Sequence, residues 1–320
     1  MKLYLTPQET STLAHLASHT YVSASPSSDP ERFITQINSV KDTIPQRLID
    51  VLNFFVLHGS PTGFLVVSGL PVVDDDILPQ TPIANNKHIG ETTMLARIQA
   101  LFNQVMGDMV AYEAEGFGML FQDMVPNIEL SKTQTSLGSD VELEIHTEQA
   151  FSKLRPDVLS LACLRGDSGA QTYILHVQQI LDHLSLEKQR QLREPLWRIG
   201  VDASFQAGGH VFLDGIMRGP IPILTGPDND PTLVFDQDLM VGITDEAEKI
   251  RKEIVDIYHC RRHAHTLSPG EIVLVDNHRA VHGRSSFHPK FDGSDRFIIR
   301  SFVSAKKCLP GQRTVLAKYS

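Results

Sequence analysis

Ser139 to Glu148 reads SDVELEIHTE, and polar and apolar residues alternate along it. Val141, Leu143 and Ile145 fall on one face of an extended chain; Asp140, Glu142, Glu144, His146 and Glu148 fall on the other. That is the period of a strand with one buried face, so a sheet is expected here rather than a helix. Solvated positions are expected for Glu142 and Glu144, as for most carboxylates on an open strand face. His146 and Glu148 differ. Positions i and i+2 at a strand end put an imidazole and a carboxylate side by side, able to share one cation. An HxE pair alone is common by chance, so a second segment has to complete it.

Leu267 to Phe287, LSPGEIVLVDNHRAVHGRSSF, supplies that segment. Pro269-Gly270 makes a turn, with Glu271 expected to be solvated in it. A buried strand follows to Val275, then a turn at Asp276-Asn277, then His282-Gly283-Arg284. His282 is the candidate third ligand. Two histidines and one carboxylate leave three adjacent coordination positions open. That arrangement suits a non-haem iron(II) that must bind a chelating cosubstrate and oxygen. Zinc is the other metal such a set could hold, although no thiolate accompanies it. Arg296 stands fourteen residues past His282, on the apparent strand RFIIRSF. An inward arginine among Phe297, Ile298 and Ile299 needs an anion, and a dicarboxylate cosubstrate supplies one. Arg300 shares its strand face.

Outward from these segments, further β-like runs occur at Val158 to Cys163, Thr172 to Val177 and Phe297 to Val303. The first hundred residues read mostly helical. Asp29-Pro30 starts one helix, Pro45 opens another stopped by Gly59, and Met94 to Met106 has helical spacing. Phe64 to Val67 is a short buried strand, and 72 to 92 reads as loop. Later helices are expected over Val177 to Trp197 and from an N-cap at Thr244. Non-adjacent strands with long connections predict a mixed α/β, mainly β fold, a double-stranded β-helix (jelly roll) core with flanking helices. One domain is expected over 1–320, with a helical part at about 1–107 and the jelly-roll core at about 108–305. A lid is expected within 205–232, where Gly and Pro are frequent.

Composition narrows the function classes. Hydrophobic residues at 41% can build a sizeable core, and a net charge of −9 with no long basic run argues against nucleic acid and anionic membrane partners. No apolar run approaches a membrane span, and residues 1–13 lack a signal-peptide pattern. Cys163, Cys260 and Cys308 form no CxxC, which fits a reduced, cytoplasmic protein.

HTE at 146–148, DNHRAVHGR at 276–284 and the Arg at His plus fourteen together resemble the iron(II)/2-oxoglutarate dioxygenases. HTEQAFSKLRPDVLSLACLRGD from His146, FDQD at 235–238 and QDMVP at 122–126 resemble, more narrowly, the clavaminate synthase-like branch that hydroxylates free amino acids. The resemblance covers about 110–305. It implies that His146, Glu148 and His282 hold Fe(2+), and that Arg296 and Thr172 bind the distal carboxylate of 2-oxoglutarate. It implies also that Arg300 grips a substrate α-carboxylate, that Glu115 sits near the substrate amino group, and that Asp236 and Asp238 read a cationic side chain. The expected reaction uses O2 and 2-oxoglutarate to hydroxylate C3 or C4 of a free basic amino acid, arginine or lysine, releasing succinate and CO2.

Rival readings stand beside this one. The substrate could be asparagine or a modified or carrier-bound amino acid. The site could instead belong to a metallohydrolase, which would have no need for Arg296, or to a metal-binding jelly roll without turnover. His259, His263 and His265 in YHCRRHAH are expected at a helix C-terminus rather than on a metal. His278 is not expected as a ligand, nor is His210 in the candidate lid.

Overall fold

A computed structural model describes residues 1–72, 77–202, 205, 216–305 and 316–317 of the chain. Four helices dominate the first part: α1 (Pro7–Leu16), α2 (Pro30–Val40), α3 (Gln46–His58) and α4 (Met94–Met106). Their ends follow the local chemistry. Thr6 and Glu9 close a capping box on α1, Asp29 caps α2 with Pro30 at its first position, and Gly59 ends α3 at φ 67°.

Strands β1 (Lys2–Tyr4), β2 (Phe64–Ser68), β3 (Asp108–Tyr112), β4 (Gln122–Met124), β5 (Leu143–His146), β6 (Val158–Arg165) and β7 (Gln171–His176) lie among and after these helices. Next come α5 (Val177–Leu181), α6 (Leu186–Gln191), β8 (Trp197–Gly200), β9 (Met217–Ile221), β10 (Leu224–Thr225), β11 (Thr232–Leu233) and β12 (Met240–Gly242). The chain continues through α7 (Asp245–Arg261), β13 (His263–Thr266), β14 (Glu271–Asp276), β15 (Ala280–Arg284), β16 (Phe297–Ser304) and β17 (Leu316–Ala317).

Two sheets carry the architecture. The larger has the order β1-β2-β14-β6-β16-β3-β17, with β4 also on β16; the smaller has the order β13-β7-β15-β5. Alternation along the strands sorts their side chains into layers. Leu65, Ala162, Ile272, Leu274 and Ile299 of the large sheet pack against α1 to α4. From its other face Val66, Leu161, Val273, Ile298 and Phe302 meet Ile174 and Ala280 of the small sheet. The outer face of the small sheet, through Ile145, Leu175 and Val281, packs on Trp197, Ile250 and Ile254. Strands buried on both faces explain why Val158–Arg165 and Glu271–Asp276 are buried at every position.

Several expectations change. The helix predicted over Val177 to Trp197 is two short helices and then strand β8. Ser185 caps the second helix and ends the first run, and Pro195 lacks the N–H a continuing helix needs. His263 and His265 are not at a helix end: α7 stops at Arg261, and both histidines lie on β13, paired with β7. Only His259 occupies the last helical turn. Glu271 is not solvated. It is 7% exposed and accepts hydrogen bonds from Ser68 Oγ at 2.8 Å and the Ser268 amide at 3.1 Å, beside His265 Nε2 at 3.0 Å. The first hundred residues also supply β1 and β2 to the large sheet. Of the candidate lid, 206–215 with His210 lies outside the described residues, as do 73–76 and Cys308.

Candidate metal centre

Strand pairing builds the centre. β15 runs antiparallel to β5, and His282 lies directly across from His146. Their ring centroids are 4.4 Å apart. Glu148 follows two residues beyond His146 and brings Oε2 to 3.8 Å from His282 Nε2. One potential ligand atom from each of the three residues falls within 4.8 Å of the others, the compactness one ion requires. His146 Nδ1 lies 2.8 Å from the Glu144 carbonyl, which fixes the ring and leaves Nε2 for a metal. His282 Nδ1 is buried with no partner among the described residues.

The electrostatics favour a cation. Burial, and then the adjacent His146 imidazole, push His282 down to about 4, so it is neutral with a lone pair to donate. Burial would raise Glu148, but Arg300 and the two imidazoles outweigh it and hold the carboxyl at about 2. The backbone at Glu148 is itself clamped. Asn277 Oδ1 accepts from the Glu148 amide at 2.7 Å, and Asn277 Nδ2 donates to the carbonyls of Glu148 at 3.1 Å and Pro156 at 2.8 Å. In sequence Asn277 reads only as a turn residue. Its fully buried amide is the signal, and burial is visible only in the fold.

A cavity opens onto the centre. His146, Glu148, Glu115, Arg300, Asp236 and Asp238 line it, together with Glu144, Gln122, Gln149 and Asp202. Arg300 donates to Glu115 and to Gln122, and its Nη1 lies 3.5 Å from Glu148 Oε1. Gln149 Nε2 donates to Glu115 at 2.8 Å. Burial lifts Glu115 to about 7 although Arg300 opposes it. Asp236 pairs through its backbone with His146, and burial lifts its carboxyl to about 6 against the pull of that imidazole. Glu144 departs from its expected solvated place. It is half-buried on the cavity wall, and burial followed by Asp238 raises its pKa. Glu142 is also half-buried, and it pairs with Arg262 outside the cavity.

His282, Thr172 and Arg296 are not on that wall. They lie between the sheets, buried at 5%, 4% and 8% exposure. No carboxylate among the described residues is within ion-pair distance of Arg296, and burial lowers its pKa. A buried guanidinium without a counter-ion is a place for an anion to bind. His278 is no ligand: its ring sits between Arg155 Nη2 at 3.0 Å and Asp157. The donor set and the unpaired arginine therefore fit iron(II) together with a dicarboxylate.

Two facing sheets with such a triad define a non-haem iron oxygenase. No protein-family model matches the chain. Over 303 residues, however, it is 48% identical to the L-lysine 3-hydroxylase of Catenulispora acidiphila, covering 95% of this chain and 84% of that protein. The solved asparagine oxygenase in complex with Fe(II), 2S,3S-3-hydroxyasparagine and succinate superposes with a TM-score of 0.87 at 30% identity, over 95% of this chain and 93% of that one. The non-heme iron oxygenase OrfP in complex with Fe and alpha-ketoglutaric acid superposes with a TM-score of 0.83 at 25% identity, over 96% and 95%. The chain belongs to the clavaminate synthase-like iron(II)/2-oxoglutarate-dependent amino acid hydroxylases.

Proposed function

We propose that this enzyme hydroxylates free L-lysine at C3, using iron(II), 2-oxoglutarate and O2. The observation that carries the substrate reading is the acidic cavity wall: Asp236, Asp238 and Glu144 stand on the His146 side, with Arg300 and Glu115 also on the wall. A zwitterion with a long cationic side chain matches both sets. Arg300 takes the α-carboxylate as a bidentate partner, Glu115 takes the α-ammonium, and the acidic group takes the ε-ammonium. The similarity to an L-lysine 3-hydroxylase supports lysine and C3 over arginine and C4.

His146, Glu148 and His282 would hold the iron, and Arg296 with Thr172 would hold the distal carboxylate of 2-oxoglutarate. When bound, iron and cosubstrate supply oxygen activation coupled to oxidative decarboxylation, which yields succinate and CO2. The chain's own part is positioning. Arg300 and the acidic wall fix both ends of the substrate, so one C–H is presented to the metal side of the cavity. The sheet interior excludes water from that point.

The two packed sheets are read here as a double-stranded β-helix forming one domain. Cys163 and Cys260 are both unpaired, which suits a reducing, cytoplasmic setting. No helix among the described residues is long and apolar enough to cross a membrane.

The test is an anaerobic titration followed by an aerobic screen. Iron(II) plus 2-oxoglutarate should give a visible charge-transfer band; its absence would remove the dioxygenase reading. With oxygen, lysine should become a product heavier by one oxygen, while norleucine, its analogue without the ε-ammonium, reacts poorly. Turnover of neutral amino acids alone would overturn the role of the acidic wall.

A further inference from the structure

Arg284 is a buried cation that none of the roles above uses. It follows His282 by two positions on β15, so the two side chains leave the same face of the strand. The register sets Arg284 across from Thr172 on β7, two pairing positions beyond His282 and Ile174. Ile174 belongs to the layer between the sheets, so Arg284 points into that layer too. From the opposite sheet, Arg296 precedes β16 and alternates with Ile298 and Phe302, which face the same layer. Both guanidiniums lie against one ring, Phe287, at 4.9 Å for Arg284 and 5.8 Å for Arg296.

The hydrogen bonding of Arg284 is incomplete. Nε donates to the Ser285 carbonyl and Nη1 to the Ser136 carbonyl, each at 3.1 Å. Nη2 is buried with no partner among the described residues, and Arg284 is 5% exposed. No carboxylate of the described residues pairs with Arg284 or with Arg296. Two buried like charges with a free donor and no counter-ion form an unstable arrangement unless an anion enters. A carboxylate has two oxygens and about four lone-pair directions, enough to accept from two guanidiniums.

We propose that Arg284 is a second anchor for the distal carboxylate of the cosubstrate, acting with Arg296 through its free Nη2. This rests on the assignment of Arg296 made above. Phe287 packs against both guanidiniums, and its apolar ring shields them from water. The carbonyl contacts of Arg284 pre-set its direction, so little side-chain freedom is lost when the anion binds.

The experiment uses the full chain with iron(II), without oxygen, and two probes: 2-oxoglutarate, and 2-oxobutyrate, which keeps the keto acid and lacks the distal carboxylate. Affinity is read from the visible band and from the shift in melting temperature on binding. Arg284→Gln should weaken 2-oxoglutarate about 10- to 100-fold and 2-oxobutyrate less than about twofold. Equal losses for both probes, or no loss, would overturn the proposal and leave Arg284 as a fastener of the Ser136 segment. Arg296→Gln separates the two levels. If that variant keeps the preference for 2-oxoglutarate, the Arg296 assignment fails; if only Arg284→Gln keeps it, the present inference fails alone. Should Arg284→Gln not fold, Arg284→Lys decides on the same ratio of probes. A drop of about threefold or more supports the anchor, and an unchanged ratio overturns it.

Discussion

His146 and Glu148 are each one side chain, yet each depends on a neighbour that is not a ligand. Asn277 is the clearest case. Its amide is fully buried and satisfies three backbone groups, two of them on Glu148. Asn277→Ala should weaken iron(II) about 10- to 100-fold and destabilise the fold by about 2 kcal/mol. Iron titration and denaturant unfolding measure the two effects separately. Glu271 gives a pH prediction. Burial would raise its pKa, but His265, Ser268 and Ser68 together hold it at about 2, below its unfolded value of roughly 4. A carboxyl depressed in the folded state stabilises above its unfolded pKa, and that stability is lost as pH falls. Melting temperature should therefore drop between about pH 4 and pH 2, and Glu271→Gln should flatten that part of the profile.

At the scale of elements, the centre depends on how closely β5 and β15 approach. Gly283 sits between His282 and Arg284, where the register is irregular. A Cβ there would stand 2.6 Å from the Leu143 carbonyl and 2.7 Å from the Tyr258 hydroxyl. The carbonyl is backbone of the partner strand, so the strands must part. Gly283→Ala should separate His146 from His282 and lower iron affinity by about tenfold or more, with a smaller loss of secondary structure. Iron titration with circular dichroism checks both halves. Trp197 plays the matching role on the outer side. It is fully buried on β8 and donates from Nε1 to the Ala247 carbonyl of α7 at 3.2 Å. Trp197→Ala should cost about 3–5 kcal/mol in denaturant unfolding.

Across the whole molecule, layering separates two recognition tasks. The proposed cosubstrate side, Arg296 and Thr172, is drawn from both sheets and is buried between them. The substrate side opens through the cavity, where loop residues such as Asp236 and Asp238 line the wall. Fixed strands can hold one cosubstrate while the loops change its partner. Asp238→Asn should lower kcat/KM for lysine about tenfold or more against norleucine and leave 2-oxoglutarate affinity unchanged. Steady-state kinetics with both amino acids and the anaerobic titration check the two parts.

The sequence by itself determined the pieces whose cause is local. The period of two in SDVELEIHTE marked β5, the cap at Asp29-Pro30 marked α2, and the HTE, HGR and Arg296 spacings marked the triad and the buried arginine proposed for the cosubstrate. Each of those signals lies within one short stretch of chain, so local backbone geometry goes far to fix its meaning. Tertiary structure decided what rests on separation along the chain. Only the pairing of β5 with β15 sets His146 opposite His282, 136 positions apart in number. Only packing on both faces buries Glu271, brings Glu144 to the cavity and closes Asn277 around Glu148. The break in the run from Val177 to Trp197 belongs here too, because a sheet took up Trp197 where the local spacing favoured a helix. Burial and unpaired charge are sums over distant neighbours. Two unpaired guanidiniums, at Arg284 and Arg296, therefore became visible only once both sheets were in place.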